Sequence, residues 1–281
     1  MQTAENRARA VEYTPPFSPV PRPSMTFYRD RTVLITGASS GIGADMARLA
    51  GAAGARVILA ARSLDALARV AADVERGGGT AHVVGADLQA DGGAARLAEA
   101  VADETVDVLV NNAGFGVLAP FVDAPADDAD AMVALNVAAL TTLTRALLPP
   151  MVARQRGGVL NVASVAAFAP VPRFAVYAAT KAYVVSFTEA LSDELRGTGV
   201  HATVLCPGPV PTGFGARAGV GERFFSGGLP SEAVARAGLE ALAAGRRRVV
   251  PGWSNCVQVA ASQVAPTGVA LRVARAIMGK A

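Results

Sequence analysis

Cysteine and histidine are nearly missing from this 281-residue chain, which holds two of each: Cys206 and Cys256, His82 and His201. Two distant cysteines cannot build a disulfide framework, and none of these four residues has metal-ligand spacing, so no metal site is expected. The same usage fits a reducing, cytoplasmic setting. Charge is sparse as well, at 17% Asp, Glu, Lys and Arg with a formal net charge of +3. No dense basic stripe with interleaved aromatics occurs, and Arg246-Arg247-Arg248 reads as a solvated strand entry, so no nucleic-acid partner is expected. No stretch approaches about eighteen uninterrupted apolar residues, which argues against a membrane span. The N-terminus lacks the apolar core of a secretory signal.

What the chain does have is apolar weight, 52% of residues, and 29 glycines. Residues 1–24 are polar and then proline-rich, and read as a flexible tail ahead of one domain, 25–281. From Arg31 onward short apolar runs alternate with helical stretches. The runs are Thr32–Thr36, Arg56–Ala61, Thr80–Gly85, Asp107–Asn111, Gly158–Ala163, Val200–Cys206 and Val249-Val250. The helices expected between them run to about Ala53, over Ser63–Arg76 with Ser63 as N-cap, and over about Asp91–Asp103. Three more cover about Pro125–Arg154, Phe174–Arg196 and Pro230–Ala244. Continuous apolar strands separated by helices imply a Rossmann-type, doubly wound parallel α/β sheet, helices on both faces, with ligands beyond the strands' carboxyl ends.

The unusual residues fall at those ends. Thr36-Gly37-Ala38-Ser39-Ser40-Gly41-Ile42-Gly43 joins the first strand to the first helix. Its glycines permit a tight turn and let backbone approach a pyrophosphate at the helix N-terminus. The spacing is not GxGxxG, and a tight turn without ligand is the alternative. At the tip of the second strand stand Arg62 and Ser63, with no acid to accept from ribose hydroxyls. A guanidinium fork there suits a 2′-phosphate, which favours NADP(H) over NAD(H); the alternative is a solvated arginine. After the third strand, Asp87 is placed to accept from the adenine amino group and Leu88 to pack on its ring.

Tyr177 and Lys181 lie four residues apart on one helix, hence on one face. A lysine ammonium one turn from a phenol favours the phenolate and brings the tyrosine toward working range. Ser164, ending the fifth strand, offers a hydroxyl to a substrate oxygen. Asn136 is an amide inside an apolar helix and needs a partner. No G-x-S-x-G elbow surrounds Ser164, so hydrolase chemistry is not indicated.

These pieces in this order resemble the short-chain dehydrogenase/reductase family, single-domain branch. TGASSGIG, Asp87-Leu88, Asn111-Asn112-Ala113-Gly114, Asn136, Ser164, Tyr177-Ala-Ala-Thr-Lys181 and Pro207-Gly208-Pro-Val210-Pro-Thr212 agree over about residues 31–212. The resemblance implies a seven-stranded parallel sheet, a nicotinamide cofactor and a carbonyl or secondary alcohol as substrate. It implies that Tyr177 exchanges the proton, that Lys181 binds the nicotinamide ribose and lowers the tyrosine's pKa, and that Ser164 orients the carbonyl. Asn136 would hold a relay water. Asn111, Ala113 and Gly114 would support the cofactor, with Pro207, Gly208, Val210 and Thr212 flanking the nicotinamide. It also implies a homodimer or homotetramer through the helices bearing Asn136 and Tyr177.

Substrate contacts are expected from Phe115, Ala166, Phe168, Val171, Phe174 and a lid over 209–229 that carries Phe214, Phe224 and Phe225, so a fairly hydrophobic substrate is favoured. The C-terminal extension, 253–281, has Val269, Val273 and Ile277 at helical spacing with Arg272, Arg275 and Lys280 nearby. That stripe has three possible coverings: a membrane surface, the less favoured one, a partner subunit, or its own body. Two other readings stay open: a non-catalytic NADP(H)-binding sensor or scaffold, and an epimerase or dehydratase with bound nicotinamide.

Overall fold

Seven of the apolar runs become strands: β1 Thr32–Thr36, β2 Arg56–Ala61, β3 Thr80–Gly85, β4 Val106–Asn111, β5 Gly157–Val162, β6 Val200–Leu205 and β7 Arg248–Val249. In this computed structural model, which describes residues 25–221, 225 and 227–279, they pair in parallel in the order β3-β2-β1-β4-β5-β6-β7. The stretch 1–24, Phe224 and Lys280 lie outside the described residues.

Side chains alternate across each strand. Leu34, Ile58, Leu109 and Val159 face one way and pack with Leu97, Leu143, Met151 and Leu191. Val33, Ile35, Val57, Leu59, Val108 and Val110 face the other way and pack with Met46, Leu67, Val74 and Leu239. The second group belongs to helices α1 Gly41–Ala52, α2 Leu64–Arg76 and α8 Ser231–Ala243, and the first to α3 Gly93–Ala100, α5 Leu140–Ala153 and α6 Ala175–Glu194. Two covered faces explain why these strands are apolar throughout rather than alternating.

Helix α3 is shorter than its sequence suggests. Gly92 sits in the left-handed region at φ 67° and serves as N-cap, so the turn at Asp91 is not helical. The run expected over Pro125–Arg154 is continuous but not uniform. It comprises α4 Ala126–Val133, a wider π-turn at Ala134–Ala139, and α5. By length and composition the run 127–153 passes for a membrane-crossing helix. Here Leu135, Leu140, Leu143 and Met151 are buried against the sheet and its neighbouring helices. Past β7, the extension forms two helices, α9 Trp253–Val264 and α10 Thr267–Met278. Between β6 and α8 lies the short helix α7, Phe214–Ala218.

The strand order reverses direction between β1 and β4, which opens a crevice beyond their carboxyl ends.

Candidate active site

A single cavity of about 1520 Å³ fills that crevice. Gly37 and Gly41 shape its floor with φ values of 64° and 54°, a conformation that L side chains rarely adopt. A Cβ on Gly37 would stand 2.9 Å from the Ala113 backbone, so strand tips β1 and β4 approach only because the side chain is missing. Ser40 is the N-cap of α1, yet its side chain makes no capping hydrogen bond. The first-turn amides and the positive end of the helix therefore remain available to an anion. Ser39, Ser40, Gly41 and Ile42 line the cavity. Gly43 does not line it. It is buried behind the turn, where its hydrogen faces the Asn112 amide and the Gly37 carbonyl.

Asn112, absent from the residues expected to act, stitches the switch point together. Its Nδ2 donates to Thr36 O at 2.9 Å and Gly37 O at 3.1 Å. Thr36 Oγ1 in turn accepts from the amides of Asn112 and Ala113, both at 3.1 Å. Asn111, expected on the cofactor side, does not line the cavity. Its Nδ2 donates to Thr144 Oγ1 and Asn161 Oδ1, within a buried ladder that continues to Thr188. Strand alternation decides this: adjacent residues on a strand face opposite ways.

At the far end, Arg62, Ser63, Asp87, Leu88 and Gln89 line the cavity. Ser63 caps α2, its hydroxyl accepting from Ala66 N at 3.4 Å. Asp87 Oδ1 accepts from Gln89 N at 3.0 Å and shapes the turn, which leaves its other oxygen for a ligand. Glycines that bring backbone to a helix N-terminus, a basic residue at the β2 tip and a deep crevice fit a phosphorylated dinucleotide.

At the near end Tyr177 and Lys181 stand one turn apart on α6, 7% and 5% exposed. Lys181 Nζ donates to Val162 O at 2.8 Å and lies 5.7 Å from the Tyr177 ring centroid. Ser164 hydrogen-bonds the phenol and also caps a 3-10 turn, Val165–Phe168, by accepting from Ala166 N. Phe174 stacks on the tyrosine ring at 4.3 Å, and Phe214 leans on it at 5.5 Å.

Burial raises the Tyr177 pKa to about 12, against the lowering effect of the Ser164 hydrogen bond. Burial also lowers that of Lys181 to about 8. The expectation that the lysine depresses the tyrosine is therefore not met in the free protein. Desolvation outweighs an ammonium that is itself weakened and turned to a carbonyl. Tyr177 thus stays a neutral phenol, the form that gives a proton. Below pH 8 Lys181 is charged and can stabilise a phenolate as it develops; above pH 8 that help disappears. The profile of kcat/KM for reduction, which reports free-enzyme groups, is expected to fall on the alkaline side near pH 8. A profile flat to pH 10 would remove Lys181 from the proton chemistry.

Asn136 sits in the π-turn and is 1% exposed. Its Nδ2 donates to Phe115 O at 2.9 Å and Thr180 Oγ1 at 3.1 Å, and its Oδ1 accepts from Phe115 N at 3.2 Å. Both amide hydrogens are taken, so the side chain has none left to donate to a relay water; it clamps the loop after β4. Gly114 fits between Asn136 and Lys181, where a Cβ would stand 2.9 Å from Asn136 Oδ1 and 3.3 Å from Lys181 Nζ.

Of the residues expected to meet substrate, Ala166, Val171, Phe174 and Phe214 line the cavity, as does Phe225. Phe115 and Phe168 do not. Phe115 is buried beneath the Arg217 guanidinium, 4.2 Å from its centroid, and Phe168 packs under Arg248. The remaining wall comes from the extension, through Gln258, Ala261, Ser262, Val269, Ala270 and Val273. Arg173 Nη1 donates to Met278 O at 3.1 Å and ties the end of α10 to the loop before α6. Val269 and Val273 of the α10 stripe thus line the chain's own cavity, although each keeps about half its surface exposed.

Comparison with known proteins gives a consistent picture. Residues 31–222 match the family model described as short chain dehydrogenase. A ketoacyl reductase, HetN, from Nostoc sp. is 32% identical over 254 residues, 87% of this chain and 88% of that protein. Among solved structures, a short-chain dehydrogenase from Sphingobium yanoikuyae in complex with NADPH has a TM-score of 0.77 at 29% identity. It covers 85% of this chain and 94% of its own. One from Burkholderia phymatum in complex with NAD also has a TM-score of 0.77, at 28% identity over 83% and 92% of the two chains.

Proposed function

Because the chain belongs to the short-chain dehydrogenase/reductase family, we propose that it is an NADP(H)-dependent reductase of fairly hydrophobic ketones, or a dehydrogenase of the matching secondary alcohols. Members of this family are oxidoreductases that use a nicotinamide dinucleotide on a carbonyl or alcohol. The observation that carries the finer reading is the sharing of one cavity by the phenol of Tyr177, the hydroxyl of Ser164 and the guanidinium of Arg62.

Gly37, Ser39, Ser40, Gly41 and Ile42 would hold the pyrophosphate, Arg62 and Ser63 the 2′-phosphate, and Asp87 and Leu88 the adenine. Ala113, Gly114, Lys181, Pro207, Gly208, Val210 and Thr212 would hold the nicotinamide half. When bound, the nicotinamide supplies or takes up the hydride. In the reductive direction the Ser164 hydroxyl holds the substrate oxygen, and Tyr177 Oη gives that oxygen its proton. Lys181 stabilises the resulting phenolate, and Phe174, Phe214 and α10 exclude water from the exchange.

NADPH oxidation followed by absorbance against ketones, aldehydes and diketones, with NADH in parallel, tests this reading. Turnover of at least one ketone with NADPH preferred is the expected result. A preference for NADH overturns the cofactor assignment. Support for an apolar substrate comes from the extension's wall of small side chains. Filling it with Ala270→Phe is expected to lower kcat/KM for bulky ketones about tenfold or more and to spare the smallest ones, since lost apolar contact and overpacking both act there. Equal loss for small and bulky ketones would mean that α10 does not wall the substrate. A cytoplasmic homodimer or homotetramer through the outer faces of α4–α6 completes the proposal. Exposed Val133 and Tyr183 on those helices support it, and sedimentation velocity tests it.

A further inference from the structure

At the far end of the cavity two cations converge on one neutral oxygen. Arg62, after β2, donates from Nη1 to Gln89 Oε1 at 2.9 Å. Arg217, on α7, reaches the same oxygen from Nη2 at 3.5 Å. Gln89 follows β3, at one edge of the sheet, whereas α7 follows β6, near the opposite edge. Arg217 therefore spans the crevice, lying over Phe115 on the way, and Ala218 O accepts from Leu118 N at 2.9 Å beside it.

Neither guanidinium forms an ion pair with a carboxylate among the described residues. Asp128 and Asp87 attract Arg217, each less strongly than Arg62 repels it; burial and that repulsion together lower its proton affinity. Two like charges drawn partly out of water around an amide oxygen are mutually unfavourable, and an anion placed between them reverses the sign of the interaction.

We propose that Arg217 is a second reader of the cofactor's 2′-phosphate, reaching it from the substrate-side segment opposite Arg62. The inference rests on the NADP(H) reading of this same site. A phosphate monoester carries close to two negative charges and three acceptor oxygens, enough for a fork from each arginine. Bound there, it joins α7 to the β2–β3 edge across the cofactor. An NAD(H) complex has no such anion, so the two cations stay opposed and α7 keeps only the 3.5 Å contact of Arg217 with Gln89 across the crevice.

Fluorescence titration of NADPH, NADH and 2′,5′-ADP against wild type, Arg217→Met and Arg62→Met tests this without turnover. Methionine keeps apolar bulk over Phe115, and NADH binding monitors whether the site stays folded. Arg217→Met is expected to weaken NADPH and 2′,5′-ADP by about tenfold to a hundredfold, as loss of a charged hydrogen bond does. NADH should stay within about twofold. NADPH should slow backbone amide exchange over α7 in wild type but not in Arg217→Met. Equal weakening of NADPH and NADH would overturn the proposal, because Arg217 would then hold a feature common to both. If only Arg62→Met abolishes the NADPH preference, Arg217 is no reader, and the NADP(H) reading stands. If wild type binds NADH as tightly as NADPH, that reading itself fails and takes this inference with it.

Discussion

Tyr177→Phe is expected to lower kcat for ketone reduction by about 10²–10⁴-fold, the range that a general acid contributes, and to leave NADPH affinity within about twofold of wild type. The substitution removes only Oη. The ring keeps its stack on Phe174 and its contact with Phe214, so the cavity holds its shape. What disappears is the phenolic proton that the proposed reaction gives to the substrate oxygen. Ser164 cannot replace it at neutral pH, since its hydroxyl is far less acidic than even the raised phenol and already caps the 3-10 turn. Steady-state kinetics together with an NADPH titration check the split. Retained turnover would overturn the assignment, and lost cofactor binding would mean that the ring itself supports the dinucleotide.

The largest structural effect is expected at Gly43. A Cβ there would stand 2.4 Å from Asn112 Nδ2 and 2.5 Å from Gly37 O. Neither neighbour yields cheaply: the Asn112 amide is bonded to Thr36 O and Gly37 O, and the carbonyl belongs to the left-handed turn. Gly43→Ala must therefore separate β1 from β4 at the switch point. Overpacking of this kind costs about 1–3 kcal/mol. For a domain of this size that is a fall in Tm of roughly 2–12 °C. Because the same movement distorts the turn that would receive the pyrophosphate, NADPH affinity should drop by about tenfold or more. Gly268→Ala, where an added Cβ in helix α10 meets nothing within 4 Å, is the control and should leave NADPH affinity unchanged and Tm unchanged or slightly raised. Thermal melts with and without NADPH distinguish the variants; an unchanged Gly43→Ala would show that the stitched switch point is softer than its hydrogen bonds imply.

Much of the site was legible because it is local. The turn from Thr36 to Gly43, the basic tip of β2 and the Tyr177–Lys181 pair each lie within one short segment, where spacing along the chain fixes spacing in space. Asn111 shows where that ends. Its neighbour Asn112 is the residue that faces the switch point, and only the pleat of β4 tells the two apart. Asn136 was suspected as an amide needing a partner, but the partners lie 21 and 44 residues away, and only the packed structure shows that they make it a clamp on the loop after β4. Phe115 and Phe168 had the right chemistry for a substrate wall, yet each is covered by an arginine. Beside Ala166, Val171, Phe174 and Phe214, the cavity wall includes α9 and α10, where the Val269 and Val273 stripe was legible but what it covers was not.

The sequence by itself determined the parallel sheet and its alternation of strands and helices, and it placed Tyr177 and Lys181 on one helix face as the candidate acid–base pair, because apolar periodicity and motif spacing act within a strand, a turn or a helix. Only the tertiary structure decided which groups meet across the crevice. It brought Arg217 from beyond β6 to Gln89 beyond β3, and it folded α10 back over the cavity. It also left Tyr177 with a pKa near 12 where the sequence suggested a lower one. The physical reason is the same in each case: burial and long-range proximity depend on how elements pack, and desolvation in a packed interior can outweigh any pairing that residue spacing alone suggests.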